Sequence, residues 1–146
     1  MKEFVTEKEW KNGEFNCKII FTQLGHRCGY VGVPKGHPMF GRDYNKCIED
    51  IDCHGGLTYS GFRDDNSKEY WYFGFDCAHA DDGVDIESLK KYGFDISPFL
   101  SMFLPIVELW EPNESSQFKT KEFCEEQCNS IAEQVKQIYF SRIKKN

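Results

Sequence analysis

The stretch YWYFGFDCAHADDG, residues 70–83, decides the fold of this chain. Its first six residues are aromatic or small and apolar, which is typical of a buried strand. Side chains that can carry chemistry then follow within a few positions: Asp76, Cys77, His79, Asp81 and Asp82. The stretch therefore predicts either a strand that delivers these groups into a site or a strand that ends in a polar turn.

Three further segments extend the strand pattern. Residues 15–34 predict two strands around a turn at Gly25, because apolar residues alternate there with more polar ones. Residues 51–62 are strand-like on both sides of a Gly55–Gly56 break. We therefore predict a twisted, largely antiparallel sheet of four or five strands over about residues 15–80, after a polar N-terminal segment.

The second half of the chain is predicted to be helical, over about residues 85–143. Residues 85–93 predict a short helix that Gly93 ends, and residues 97–110 predict an apolar helix that Pro105 interrupts. The last helix, about 119–143, has an apolar stripe at helical spacing, made of Cys124, Cys128, Ile131, Ala132, Val135, Ile138 and Tyr139. The sequence thus predicts one α+β domain, residues 1–146, in which this helix packs on the sheet.

Composition narrows the classes of function. The chain has 146 residues and a net charge of −6, so we expect no nucleic-acid partner. No apolar stretch reaches the ~20 residues that span a bilayer, and the N-terminus lacks the apolar core of a secretory signal, so we expect a cytoplasmic protein without a membrane contact. With no export signal, we expect the seven cysteines to be reduced thiols, and the absence of a CxxC pair removes the most specific zinc and redox motifs.

The histidines are the first candidates for chemistry. Three of the four stand beside glycines or at strand ends: His37, His54 and His79. If they converge, His54, His79, Asp76 and Asp81 would make a nitrogen and oxygen ligand set for Zn, Mn or Fe(II). Such an ion could assist hydrolysis of a small polar or phosphorylated substrate, with His37, Asp76 and His79 in catalytic roles. A site without metal, in which a carboxylate orients one histidine as a general base, is an alternative.

Two other hypotheses are alternatives to this enzyme hypothesis. The protein could be a binding module that sequesters a small ligand or docks on a host protein, with Tyr30, Tyr44 and Trp71 as stacking groups. It could also be purely structural, because Asp, Asn and Gly after a strand are ordinary turn formers. Cys124 and Cys128 are one helical turn apart but lie on the apolar stripe, which favours core packing over metal binding.

Three ordered blocks carry a resemblance to known sequences: CGYVGVPKGHPMFGRDY (28–44), HGGLTYSG (54–61) and WYFGFDCAHADD (71–82). They resemble a family of small proteins of no assigned activity that bacteria and especially bacteriophages encode. The resemblance covers roughly residues 28–82, and the final helix is similar in character. It implies a phage or prophage context, and it favours a shared role for His37, His54, Asp76 and His79 over unrelated turns.

Overall fold

The computed structural model of the protein describes residues 3–47, 49–78, 83–99 and 118–145, and the side chains of the last helix as far as residue 138. One antiparallel sheet contains the strands β1 (Phe4–Asn12), β2 (Phe15–Thr22), β3 (Arg27–Pro34), β4 (Tyr59–Gly61) and β5 (Tyr70–Asp76). Their spatial order is β1-β2-β3-β5-β4. The helices α1 (Ile86–Lys91) and α2 (Lys121–Lys145) come later in the chain. This architecture confirms the predicted α+β class and the predicted antiparallel sheet.

The edges of the sheet differ in detail from the prediction. Residues 4–12 were expected to be a polar segment but form the edge strand β1, in which Lys8, Glu9 and Lys11 are exposed. A two-residue turn with Gly13 at φ 61° connects it to β2. At the other edge only Tyr59–Gly61 is a strand. Residues 51–54 form none, because the backbone N–H and C=O of Asp52 both bond to the Gln134 side chain of α2, each at 2.7 Å.

Helix α2 covers one face of the sheet. The stripe predicted from its helical spacing is confirmed where side chains are described: Cys124, Cys128, Ile131, Ala132 and Val135 are all 0% exposed. They pack against alternate residues of the strands, among them Phe15, Cys17, Ile19, Val31, Val33, Phe73 and Phe75. Gly29 permits the close approach, because a Cβ there would lie 2.8 Å from the Cys128 sulfur. Among the described residues, no helix is long and apolar enough to cross a membrane.

The opposite face of the sheet carries the other set of alternating residues. It presents Tyr30, Tyr59, Tyr70 and Tyr72, with Lys11, Lys18 and Arg63 beside them; this set is named the tyrosine face. No helix among the described elements packs on it. Instead, the loop between β4 and β5 crosses part of the face, since Asp64 of that loop accepts a 2.9 Å hydrogen bond from the Tyr72 hydroxyl.

A buried arginine fixes α1 and the start of α2 against the sheet. Arg27 at the start of β3 uses all five of its N–H donors: two to Glu7 (2.6 and 3.1 Å), one to Asp85 (2.9 Å), one to the Lys119 carbonyl (3.0 Å) and one to Ser88 (3.1 Å). The register of β1 shifts between Thr6 and Lys8, so Glu7 is the bulged residue. Bulges re-aim side chains, and this one lies where Glu7 meets Arg27.

Candidate functional site

Tyrosines and glycines alternate in rows across the tyrosine face. Gly74 of β5 lies between Tyr30 of β3 and Tyr59 of β4, while Tyr72 of β5 lies opposite Gly32. The rings spread over the glycines, because a Cβ on Gly74 would lie 2.5 Å from the Tyr30 ring and one on Gly32 would lie 2.7 Å from the Tyr72 ring. Tyr30 and Tyr59 meet edge to face, with ring centroids 5.5 Å apart. The alternation therefore builds an aromatic surface in which neighbouring rings are inclined to one another.

Arg63 lies on this aromatic surface. Its guanidinium carbon is 4.0 Å from the centroid of the Tyr30 ring and 5.2 Å from that of Tyr59, within the range of a cation–π interaction. Asp76, at the end of β5, lies opposite Cys28 of β3 in the antiparallel register, on the same face of the sheet as Tyr30. Burial and the Asp76 carboxylate raise the pKa of the Cys28 thiol to about 11, while Arg63 acts in the opposite direction.

The lysines of the face have oxygen partners. Lys18 bonds to Asp64 and has Glu9 at 3.9 Å, and Lys11 bonds to the Tyr70 hydroxyl. In the part of the chain that the structure describes, no carboxylate lies within ion-pair distance of Arg63. Among the described residues, Arg63 is thus positioned by aromatic rings and not by an opposite charge.

The central phenols of the face are neutral hydrogen-bonding groups. Burial raises the pKa of Tyr30 and of Tyr72 well above the usual value for tyrosine. The Tyr72 hydroxyl accepts a 2.6 Å hydrogen bond from Asn16 and donates to Asp64. The part of the face that a ligand can reach consists of the partly exposed Tyr59 and Tyr70 rings and the Arg63 guanidinium, which is an arrangement suited to holding a ligand.

Two of the residues predicted from the sequence lie on this face. Tyr30, predicted as a stacking residue, lies at its centre, packed against Gly74 and Arg63. Asp76, predicted as a ligand or catalytic acid, lies at the end of β5, where its Oδ1 accepts a 3.1 Å hydrogen bond from the backbone N–H of Ala78. The next predicted residues along the chain, His79 and Asp81, lie outside the described residues.

Tyr44 and Trp71 pack on the helix side of the sheet. Trp71 alternates with Tyr72 along β5, so its ring points to the opposite face, and its Nε1–H donates a 2.9 Å hydrogen bond to the carbonyl of Arg42. The backbone N–H of Tyr44 donates to the Ser60 hydroxyl at 3.0 Å, and the Tyr44 ring packs against the main core. The structure therefore places these two predicted stacking residues apart from Tyr30.

His37 lies between the loop that follows β3 and helix α2. It is 4% exposed, and its Nδ1 accepts from the backbone N–H of Met39 at 3.1 Å. With the proton assigned to Nε2, that nitrogen donates to the Val135 carbonyl at 2.9 Å. The ring also packs edge-on against Phe15, with centroids 5.6 Å apart. In this arrangement His37 joins the loop to the helix.

His54 lies at the first turns of α2. Its backbone N–H donates a 2.8 Å hydrogen bond to the Gln127 side chain, and its ring packs edge-on against Phe123 at a centroid distance of 5.4 Å. Cys77, at the end of β5, reaches the same turns, since its sulfur is 3.7 Å from that of Cys124. Within the described ranges, no three His, Cys, Asp or Glu side chains are grouped so that they could hold a metal ion.

Sequence reasoning missed most of the tyrosine face. Tyr70, Tyr72, Gly74 and Asp76 do alternate along β5, but the residues between them are equally apolar, so a single buried strand was the simpler interpretation. Arg63 belongs to a loop, and nothing in its local sequence indicates that the loop folds back over β3.

Comparison with protein-family models, with curated proteins and with solved structures finds no match for this chain.

Proposed function

We propose that this protein is a non-catalytic binding module that holds a small anionic ligand on its tyrosine face, with Arg63 as the residue that recognises the negative charge. The observation that carries the proposal is the position of Arg63, 4.0 Å from the Tyr30 ring centroid and without an ion-pair partner among the described carboxylates. A guanidinium stays charged at every physiological pH and presents its N–H donors as a planar fork, which matches a carboxylate or a phosphate.

The surroundings of Arg63 favour a ligand that joins an anion to a flat apolar group. The Tyr59 and Tyr70 rings are partly exposed and provide aromatic surface beside the guanidinium. The chain carries a net charge of −6, so attraction of the anion must come from short-range contacts, since charges beyond the Debye length of about 8 Å are screened at physiological salt. Arg63 is itself half-buried, which favours a small molecule over a flat host-protein surface.

Calorimetric titration with three aromatic probes tests this function. Phenyl phosphate and benzoate each carry an anion on a ring, whereas phenol carries none, so we expect the two anions to bind and phenol to bind more weakly. Arg63→Ala should weaken anion binding by about 10–100-fold, the loss typical of a charge-assisted hydrogen bond. Arg63→Lys keeps the charge but lacks the fork, so its loss should be intermediate.

Lys68→Ala is the matched control, because Lys68 is an exposed cation in the same loop but lies over Phe62, at 6.0 Å from its ring centroid, and not over the tyrosines. This variant should bind both anions as the wild type does. Equal binding by the wild type and Arg63→Ala would refute the proposal. Release of phenol and inorganic phosphate from phenyl phosphate would refute the non-catalytic part of it.

A second candidate is metal-assisted hydrolysis by the predicted histidine and aspartate site. One observation favours it: the loop that holds His54 and the end of β5 at Cys77 both contact the first turns of α2. Elemental analysis of tag-free protein tests this candidate. About one equivalent of Zn, Mn or Fe that is lost in both His54→Ala and His79→Ala would support it, and absence of metal after incubation with each ion would refute it.

The setting that we propose is the cytoplasm of a bacterial host, in the phage or prophage context that the sequence resemblance implies. All seven cysteines are reduced, which is compatible with a reducing compartment.

A further inference from the structure

We propose that Cys77 and Cys124 form a disulfide-linked pair by exchange with a small-molecule disulfide such as oxidised glutathione. Their sulfurs are 3.7 Å apart, and no other two cysteine sulfurs are in such contact in the part of the chain that is described. Both residues are held by backbone hydrogen bonds: Cys77 donates to the Arg27 carbonyl at 2.9 Å, and Cys124 donates to the Thr120 carbonyl at 3.1 Å. The fold therefore fixes the backbone at both cysteines.

The geometry requires only a small rearrangement. A disulfide bond is about 2.0 Å long, so the sulfurs must approach by about 1.7 Å through rotation about the Cα–Cβ bonds of both residues. Cys124 belongs to the first turn of α2, the end of the helix at which local opening exposes a side chain first, so we assign it as the thiol that reacts first.

The exchange balances in two steps. The Cys124 thiolate attacks one sulfur of oxidised glutathione, which forms a mixed disulfide and releases one glutathione thiolate. Cys77 then loses its proton to water and attacks the Cys124 sulfur, which forms the Cys77–Cys124 bond and releases the second glutathione thiolate. Two protein thiols are oxidised, and one glutathione disulfide is reduced to two thiols.

Burial makes the first step slow. Cys77 is 1% exposed and Cys124 is 0% exposed, so glutathione reaches them only when the first turn of α2 opens locally. Such opening must break the contacts that hold the start of α2, among them the bond from Arg27 to the Lys119 carbonyl, so the exchange should be slow without denaturant. The rate should therefore rise with pH, through the thiolate fraction, and with low concentrations of urea, through the opening.

The product would link the end of β5 covalently to α2. The two cysteines are 47 positions apart, and a bond across so long a loop restricts the unfolded chain and raises the midpoint of thermal unfolding. Oxidation of the pair would thus stabilise the folded protein, and reduction would restore the two thiols.

Intact-mass analysis of the reduced protein after incubation with oxidised glutathione tests this inference. We expect a loss of two hydrogens, a Cys77–Cys124 bond in the peptide map, a higher unfolding midpoint and reversal by dithiothreitol. Cys47→Ser, in which a buried cysteine elsewhere is replaced, should form the same bond, whereas Cys77→Ser and Cys124→Ser should not. The peptide map of the oxidised wild type shows by itself which cysteines are linked, so the test remains valid even if a variant folds poorly. A wild type that stays fully reduced in urea below the unfolding transition, or that links a different pair, would overturn the proposal.

Discussion

The Arg63 guanidinium lies 4.0 Å from the centroid of the Tyr30 ring, on the face of the sheet that α2 leaves uncovered. The same ring lies close to Gly74, which has no side chain to displace it. Tyr30 therefore contacts both a glycine and a cation, and the position of Arg63 depends on where that ring lies. This dependence connects the packing of the sheet to the proposed binding of an anion.

Gly74→Ala should destabilise the protein by displacing Tyr30. The added Cβ would lie 2.5 Å from the ring and 3.2 Å from the carbonyl oxygen of Gly29, so the ring must move. We expect the free energy of unfolding, measured with urea, to fall by about 1–3 kcal/mol, as overpacking in a core typically causes.

A double-mutant cycle provides the control for Gly74→Ala. In a Tyr30→Ala background the clashing ring is absent, so the same glycine substitution should cost less than it does in the wild type. If Gly74→Ala lowered the free energy of unfolding equally in both backgrounds, a clash with the Tyr30 ring would not be the cause of the loss.

Arg27→Ala should be strongly destabilising, because it leaves Glu7 and Asp85 buried without their cation. Their side chains are 3% and 6% exposed. Removal of one partner from a buried ion pair typically costs about 3–5 kcal/mol. Lys90→Ala is the comparison: its pair with Glu87, at 3.8 Å, is exposed and should contribute less than about 1 kcal/mol. Urea unfolding of both variants checks this, and similar losses would contradict the buried network.

His37→Phe should lower stability without changing the binding of phenyl phosphate. The substitution removes the acceptor for the buried Met39 N–H and the donor to the Val135 carbonyl, at a cost of about 1–3 kcal/mol. His37→Asn retains an acceptor near the position of Nδ1, so it should recover part of that loss. If His37→Phe kept full stability but lost a measurable activity, the histidine would have a functional role instead.

Stability should decrease at alkaline pH because several thiols are buried. Burial raises the pKa of Cys17 to about 12 and that of Cys28 and Cys53 to about 11, from an ordinary value of 9.0. Above pH 9 the unfolded chain releases these protons while the folded protein retains them, so deprotonation stabilises the unfolded state. Urea midpoints should be steady near neutral pH and fall between about pH 9 and 11. Cys17→Ala should make the decline shallower, and a pH-independent midpoint would contradict this account.

The final helix could be predicted from the sequence because its two sides differ in polarity. Cys124, Cys128, Ile131 and Val135 recur at helical spacing among charged residues, and the structure buries all four completely. β5 offers no such contrast. Trp71, Phe73 and Phe75 face the helix while Tyr70 and Tyr72 face the other way, so both sides are aromatic and the pattern indicates a strand without indicating its faces.

The candidate site was harder to predict because its parts are distant in the chain. Tyr30 and Arg63 are brought together by strand pairing and by a loop that crosses the sheet, and neither relation has a local sequence signal. His37 was expected near chemistry because it follows a glycine and precedes a proline, but such a position is equally suited to a loop that is fastened to a helix.

The central claim is that the Arg63 guanidinium binds the anion directly. The most direct measurement is an NMR titration of the Arg63 side-chain Nε–H resonance, assigned through its absence in Arg63→Ala, with phenyl phosphate and with phenol. The account predicts a saturable shift of this resonance with phenyl phosphate and little change with phenol, together with shifts of the Tyr30 and Tyr59 rings. An Arg63 resonance that does not move while other arginine or lysine signals respond would contradict it.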